Sequence, residues 1–194
     1  MTGGIASGKS TVTKTLENLG AIIIDSDKLA HAIMYPYKPA WNDIVKRFGQ
    51  EILNSDETIN RDRLGQIVFN DAKLLQELNQ ITHWRVAERY KEDLRIIKKE
   101  NPDAIIVMEI PLLYETHAER ICDEVWVVWV DRETQIERLI KRDNISEEDA
   151  IKRIESQMDL DEKARRADVV IDNRHSIEST IEAATKNYIA RVQT

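Results

Sequence analysis

A glycine-rich stretch near the start of the chain constrains its fold more than any other feature. Residues 3–10 read Gly-Gly-Ile-Ala-Ser-Gly-Lys-Ser and fit the pattern G-x-x-x-x-G-K-S/T at every defined position. Glycine allows backbone conformations that side chains forbid, so successive N–H groups can converge on an anion at the start of a helix. The spacing of Gly8, Lys9 and Ser10 disfavours an ordinary glycine-rich turn. This stretch, called the phosphate loop below, predicts binding of ATP or GTP within an α/β fold.

The polar residues of the phosphate loop have predicted tasks. Lys9 would reach the β- and γ-phosphates, and Ser10 would offer its hydroxyl to a Mg²⁺ ion that bridges them. Thr11 could lend a second hydroxyl or cap the helix. The predicted nucleotide-binding residues are Gly4, Ile5, Ala6, Ser7, Gly8, Lys9, Ser10 and Thr11, with Ser10 as the metal ligand.

Length and composition predict one domain that acts on small molecules. A chain of 194 residues can bury one core with a smaller inserted lobe, and its net charge of −7 argues against nucleic acid or an anionic membrane as partner. The single cysteine, Cys122, forbids an internal disulfide and suits a reducing cytosol. We therefore expect a cytoplasmic protein that needs no nucleic acid, membrane or obligate protein partner.

The strand that should lead into the phosphate loop is the main difficulty. Such a loop follows a strand of the sheet, yet only Met1 and Thr2 precede Gly3. The sequence therefore predicts that this strand is missing. Our hypothesis is that Met1 is an internal methionine of a chain that begins several residues upstream.

Acidic residues follow two of the predicted strands, which cover residues 21–24, 104–108, 125–130 and 168–171. Asp25 and Asp27 come after the first of these, where ligands bind in parallel α/β sheets. At least one of them is predicted to bind metal or abstract a proton, although Asp25 could instead cap the next helix. Glu109 could act on Mg²⁺ indirectly, through a water molecule or another ligand of the metal, or it could accept hydrogen bonds from backbone N–H groups.

Residues 28–103 are predicted to form a helical insertion between two strands, with the nucleotide-binding core in residues 1–27 and 104–194. Arg61 and His83 could bind a second, phosphate-bearing substrate, or be solvated surface residues. Residues 142–165 are a candidate lid that carries Arg142 and Arg153, with a surface helix as the alternative. A closing helix from Ser176 is predicted to bury Ile177, Ile181, Ala184 and Tyr188.

These motifs together resemble the dephospho-CoA kinase family over nearly the whole chain. The narrowest of them are Ile110-Pro111-Leu112-Leu113-Tyr114-Glu115 and residues 167–173, Ala-Asp-Val-Val-Ile-Asp-Asn. The others are residues 2–11, residues 24–27, Asn60-Arg61 with Leu64 and Val68-Phe69, Gln135 with Arg138 and Arg142, and Arg153 with Gln157.

The resemblance implies a parallel sheet of order 2-3-1-4-5 flanked by helices, a helical CoA-binding lobe and a lid. It implies transfer of the ATP γ-phosphoryl group to the ribose 3′-hydroxyl of dephospho-CoA, the last step of coenzyme A synthesis, with Mg²⁺. By position, the implied catalytic residues are Asp27 as general base, Lys9 and Arg142. Arg153 would be a further lid cation that binds substrate. Arg61 and His83 would lie on the acceptor side, and Asn173 near the adenine of ATP.

Several residues depart from the family pattern and leave alternatives open. Trp84 follows His83 where proline is usual, Glu109 replaces a common aspartate, and Arg174-His175 replaces a glycine-containing turn. The alternatives are another small-molecule kinase with the same loop, acting on a nucleoside, gluconate or shikimate, a nucleotide-dependent switch, or a truncated inactive paralogue that only binds ATP.

Overall fold

The chain divides into two compact units in a computed structural model that describes residues 1–69 and 71–193, with only the backbone of Phe69. The α/β unit comprises Met1–Asp25 and Ala104–Thr194, and the helical unit comprises Ser26–Asp103. The helical unit is thus an insertion between the second and third strands of the α/β unit.

The sheet of the α/β unit is parallel throughout its described ladders. Its strands are β1 (Thr2–Gly3), β2 (Ile22–Asp25), β3 (Ile106–Glu109), β4 (Trp126–Trp129) and β5 (Val169–Asp172). Ladders join β2 to β3, β1 to β4 and β4 to β5. Between β3 and β1, the Met1 nitrogen donates to the Met108 oxygen over 2.7 Å, and the Ile110 N–H donates to the Met1 oxygen over 3.0 Å. The ladders form a three-stranded sheet, β1-β4-β5, and a two-stranded sheet, β2-β3. The two bonds of Met1 and Ile110 place β3 beside β1, which gives the order β2-β3-β1-β4-β5.

The strand that leads into the phosphate loop is short rather than absent. Thr2 and Gly3 are in register with Val127 and Val128 of β4, while Met1 is buried and bonds to the β3 side. This corrects the expectation of a missing strand. A parallel ladder needs only the N–H and C=O groups of a few residues, and Met1 to Gly3 supply them on both edges.

The helices are numbered in chain order: α1 (Lys9–Asn18), α2 (Ser26–Ile33), α3 (Pro39–Phe48), α4 (Arg61–Phe69), α5 (Ala72–Glu100), α6 (Arg132–Asp143), α7 (Glu147–Glu155), α8 (Leu160–Arg166) and α9 (Ile177–Val192). Several begin at a side-chain cap, because Asp71, Ser146 and Ser176 each accept a bond from a backbone N–H of the first turn. No helix in the described part of the chain is long and apolar enough to cross a membrane.

The core of the α/β unit lies between its sheet and the helices α1 and α9. Val12 and Leu16 of α1 pack with Val128, Ala184 and Tyr188. The predicted face of α9 is partly wrong, because Ile177 and Ile181 are 62% and 40% exposed while Thr180 is fully buried. The Thr180 hydroxyl donates to the Asn173 side chain over 2.7 Å, so this polar residue of α9 faces the segment that follows β5.

The helical unit has its own apolar core along α5. Four residues of α5, namely Leu74, Leu75, Leu78 and Ile81, pack against a cluster formed by Ile44, Phe48, Ile52, Leu64 and Val68. Trp84, at the position where the family usually has proline, lies in the interior of α5 and is 50% exposed. A helix starts before this position and continues through it, because tryptophan keeps the backbone N–H that proline lacks.

Candidate active site

The phosphate loop is built as an anion nest between β1 and α1. Ala6 and Gly8 adopt left-handed backbone conformations, with φ of 59° and 88°. The Ser7 N–H donates to the Gly4 oxygen over 3.2 Å, and the Thr11 N–H donates to the Gly8 oxygen over 3.1 Å. Lys9 folds back so that its Nζ donates to the oxygens of Gly3 and Gly4 over 3.2 and 2.9 Å. Successive left-handed and right-handed residues turn N–H groups inward, which is the arrangement that cradles phosphate.

The oxygen donors that suit Mg²⁺ lie beside the start of α1. Ser10 is exposed in the first turn of α1, and Thr13 donates to Glu109 Oε2 over 2.6 Å. Asp25 is the partner of Glu109 in the ladder between β2 and β3, so the two acids end adjacent strands. Within the described residues, no three His, Cys, Asp or Glu side chains are grouped as a metal site. The donor set therefore fits a magnesium ion held by the Ser10 hydroxyl together with phosphate oxygens and water.

Three amide side chains hold the phosphate loop from two directions. Gln135 Nε2 donates to the Ile5 oxygen over 2.8 Å, and the Ile5 N–H donates to Gln157 Oε1 over 2.9 Å. From β5, Asn173 Nδ2 donates to the Ser7 oxygen over 2.8 Å. Because backbone groups accept and donate in fixed directions, these bonds hold the loop in one conformation.

Two glycines of the loop, Gly4 and Gly8, leave the space that two of these amide side chains occupy. A Cβ on Gly8 would lie 2.0 Å from Asn173 Nδ2, and a Cβ on Gly4 would lie 2.5 Å from Gln135 Nε2. Gly8 also has its left-handed φ. The sequence pattern identified Gly4 and Gly8, but the side chains that need them come from distant parts of the chain.

Asn173 lies behind the phosphate loop. Its side chain is 6% exposed, with its nitrogen on Ser7 and its oxygen accepting from Thr180. The predicted contact of Asn173 with adenine stays a prediction, while its side chain in the structure bonds to Ser7 of the loop and to Thr180 of α9. Arg138, to which no task was assigned from the sequence, donates from NH2 to the Asn173 oxygen over 2.9 Å and lies near Gly8.

The two predicted lid cations share one carboxylate. Arg142 Nε and Arg153 NH1 donate to Asp143 over 2.7 and 2.8 Å, and both arginines are about half exposed. The hydrogen bond to Asp143 raises the pKa of the Arg142 guanidinium. The structure therefore brings Arg142 and Arg153 together, from the end of α6 and from α7.

A buried ion pair anchors α8 to the segment after β3. Lys163 is fully buried, and its Nζ donates to the Pro111 oxygen over 2.9 Å and lies 2.8 Å from Glu115 Oε1. Thr2 donates to the same Pro111 oxygen over 3.1 Å, and the Met158 N–H donates to Glu115 Oε1 over 2.8 Å. Burial would raise the pKa of Glu115, but the bonds from Lys163 and Met158 outweigh it and lower the pKa. Sequence reasoning missed Lys163, which reads as a surface lysine in a charged segment.

The acceptor-side candidates lie in the helical unit. Asp27 is exposed in the first turn of α2, and Arg61 begins α4. Partial burial lowers the pKa of the Arg61 guanidinium and the charge of Asp27 acts in the opposite direction, so the two residues are within electrostatic reach. His83 is exposed in the interior of α5.

Comparisons with known proteins agree on one family. A family model described as dephospho-CoA kinase matches residues 1–179. A dephospho-CoA kinase of Carboxydothermus hydrogenoformans is 46% identical over 182 residues, covering 94% of this chain and 88% of that protein. One from Listeria monocytogenes is 43% identical, covering 93% of this chain and 90% of that protein.

Solved structures agree with the sequence relatives. The crystal structure of a Thermus thermophilus protein has a TM-score of 0.83 at 31% identity, covering 97% of this chain and 94% of that one. A dephospho-CoA kinase from Campylobacter jejuni has a TM-score of 0.75 at 32% identity, covering 99% and 95%. The sequence relatives and the solved structures therefore match this chain over nearly its whole length.

Proposed function

The chain belongs to the dephospho-CoA kinase family, and we propose that it transfers the γ-phosphoryl group of ATP to the ribose 3′-hydroxyl of dephospho-CoA, giving CoA and ADP. The observation that carries the proposal is the preformed phosphate loop, in a chain that matches this family over residues 1–179. The other small-molecule kinases and the inactive paralogue are less well supported, because the relatives share most of their length with this chain.

The nucleotide side of the reaction depends on position and charge. In phosphoryl transfer the protein aligns two oxygens about one phosphorus and neutralises the charge on the moving group. The N–H groups of the phosphate loop and Lys9 would hold the β- and γ-phosphates, and Ser10 would hold Mg²⁺. When bound, the metal neutralises charge on the phosphate oxygens. Arg142 and Arg153 would supply cations to the charge that develops in the transition state.

The acceptor side needs a base and cations. We assign Asp27 as the group that accepts the proton of the 3′-hydroxyl as the new oxygen–phosphorus bond forms and the bond to ADP breaks. Arg61 and His83 would bind phosphate groups of dephospho-CoA, for which a guanidinium and an imidazole are suitable donors. We further propose that the reaction takes place in the cytoplasm.

The test is ADP release with magnesium-ATP and each of four acceptors: dephospho-CoA, shikimate, gluconate and uridine. We expect turnover with dephospho-CoA alone, together with a product heavier by one phosphoryl group. An Asp27→Asn variant is the control, because it keeps the size and polarity of the side chain and removes the base. Turnover with another acceptor, or none with dephospho-CoA from a protein that binds ATP, would overturn the proposal.

A further inference from the structure

Ile5 of the phosphate loop is held on both of its peptide groups. Its N–H donates to Gln157 Oε1 over 2.9 Å, and its oxygen accepts from Gln135 Nε2 over 2.8 Å. The two glutamines come from different elements, since Gln135 lies in α6 and Gln157 lies between α7 and α8. Each makes a directed bond to a loop whose N–H groups are the predicted phosphate ligands.

Gln135 is the fixed member of this pair. Its side chain is 3% exposed, and it lies so close to Gly4 that a Cβ there would come within 2.5 Å of Nε2. Leu160 of α8 limits the same space, because that Cβ would lie 3.3 Å from Leu160 Cδ2. Gln135 therefore sets the position of the Ile5 oxygen independently of α7.

Gln157 is the member that connects the loop to α7. It lies in residues 156–159, the connection between α7 and α8, and the end of this connection is anchored because Met158 donates to Glu115, the partner of buried Lys163. The other end continues into α7, which carries Arg153 four residues before Gln157. Arg153 in turn shares Asp143 with Arg142. The bond to Ile5 therefore joins the phosphate loop to the helix that carries Arg153, which shares the carboxylate of Asp143 with Arg142.

We propose that Gln157 is a positioning residue that sets the place of α7, and with it of Arg153 and Arg142, relative to the phosphate loop through the Ile5 N–H. This rests on the function proposed above. In that function, the Lys9 ammonium and the backbone N–H groups of the loop bind the phosphates in the ground state. The lid cations act instead on the charge that develops in the transition state. Loss of Gln157 should therefore lower kcat more than it raises the KM for ATP.

The variant that removes the acceptor and keeps the shape is Gln157→Met. We expect its kcat to fall by about 10-fold to 100-fold, because misplaced catalytic groups are costly even when each group is intact. Gln157→Glu keeps an acceptor oxygen for Ile5, so we expect it to recover part of kcat. The matched control is Gln193→Met, an exposed glutamine at the end of α9, and we expect wild-type kinetics from it.

A double-mutant cycle with Arg153→Ala separates positioning from general loss of structure. If Gln157 acts through Arg153 of α7, Gln157→Met should cost less in the Arg153→Ala background than in the wild type. The proposal would be overturned if the fold-loss of kcat in the double variant equalled the product of the two single-variant losses. It would also be overturned if kcat of Gln157→Met stayed within about 2-fold of wild type.

Amide hydrogen exchange tests the positioning role without requiring turnover, so that its failure can be told apart from failure of the proposed function. Hydrogen exchange of the Ile5 amide should be slow in the wild type and faster in Gln157→Met, and the amides of α7 should exchange faster as well. If the wild type fails to phosphorylate dephospho-CoA, the proposed function fails and the exchange result still decides the positioning role. Unchanged exchange at Ile5 and in α7 would overturn it.

Discussion

Polar side chains are held differently in the two units of this protein. The buried polar residues among those described all lie in the α/β unit: Thr2, Ser7, Thr15, Gln135, Lys163, Asn173 and Thr180. In the helical unit the candidate residues Asp27, Arg61 and His83 are all exposed. Among these residues the Ser7 hydroxyl is buried without a hydrogen-bond partner, while the side chains of the other six are hydrogen-bonded. Satisfied buried polar groups specify one conformation, because leaving any of them unpaired in a low dielectric is costly. The α/β unit, the proposed nucleotide side, is thus preorganised by buried polar contacts, while the helical unit, the proposed acceptor side, has its candidate charges on helix surfaces.

Removal of the buried charge of Lys163 should have the largest effect and tests whether buried polar contacts stabilise the α/β unit. We expect Lys163→Met to lower the free energy of unfolding by about 3–5 kcal/mol, because Glu115 keeps its charge and loses its partner. Urea unfolding at neutral pH measures this. The control is Lys152→Met, whose ion pair with Glu148 has side chains 67% and 79% exposed, so a change under about 1 kcal/mol is expected. Similar losses of unfolding free energy in Lys163→Met and Lys152→Met would contradict the difference between buried and exposed polar contacts.

The same ion pair predicts the dependence of stability on acid. The pKa of Glu115 is lowered from its ordinary value of 4.5 in the folded state, so its contribution is present above about pH 4.5 and is lost as pH falls through the lowered folded-state pKa. Urea unfolding across that range should show a weaker dependence in Glu115→Gln than in the wild type. Equal slopes would mean that other carboxylates account for the acid sensitivity.

The next largest effect should come from Lys9 and should appear in activity rather than stability. We expect Lys9→Ala to lower turnover by on the order of 10²–10³-fold, because it removes the cation that we propose for the β- and γ-phosphates. Its described bonds are to the loop oxygens of Gly3 and Gly4, so the melting temperature should change little. Steady-state ADP release and thermal melting measure the two. Near-normal rates would refute the role of Lys9.

A smaller effect at Arg61 tests the helical unit. We expect Arg61→Ala to raise the KM for dephospho-CoA by about 10-fold, the equivalent of one charge-assisted contact, with little change in the KM for ATP. Arg95→Ala, also an exposed arginine but on α5, is the control. A larger rise in the KM for ATP than for dephospho-CoA would place Arg61 on the nucleotide side instead.

The smallest effect should come from Asp143, which lies in the α/β unit but is bonded to exposed arginines. Asp143→Asn weakens the hold on Arg142 and Arg153 and frees them for the transferring phosphoryl group, and we expect kcat to rise by only about 2-fold to 3-fold, because exposed ion pairs are weak. Initial rates at saturating ATP measure this. A fall in kcat would mean that Asp143 holds the two cations where the transition state needs them.

Local signals in the sequence predicted most elements of the fold. The apolar spacing predicts a long helix from about Asp71 to Glu100, and the structure has α5, Ala72–Glu100, with Asp71 as its cap. The capping pattern Ser146-Glu147-Glu148-Asp149 predicts a helix that runs through Met158; this helix begins as predicted, but it ends at Glu155 and a separate helix, α8, follows. The sequence indicates a helix after Asp25 and Asp27 without giving its bounds, and the structure has α2, whose eight residues follow β2 directly. Caps and apolar spacing are readable because they involve residues a few positions apart.

The face of α9 shows where this reading fails. Apolar spacing predicted that Ile177 and Ile181 are buried, but the structure buries Thr180 in their place. The helix exists as predicted and buries Ala184 and Tyr188 as predicted, but its buried face also includes Thr180, whose hydrogen bond to Asn173 no periodicity reveals.

The sequence by itself determined the phosphate loop, the class of ligand it binds and the alternation of strands and helices around it. These depend on neighbours in the chain, such as the left-handed Gly8 and the lysine and serine that follow it. Only the tertiary structure decided which side chains hold the loop. Gln135, Gln157 and Asn173 reach it across 130, 152 and 166 residues. Such contacts form only when the sheet and helices have packed, because the geometry of a hydrogen bond over that separation is set by the fold and not by local spacing.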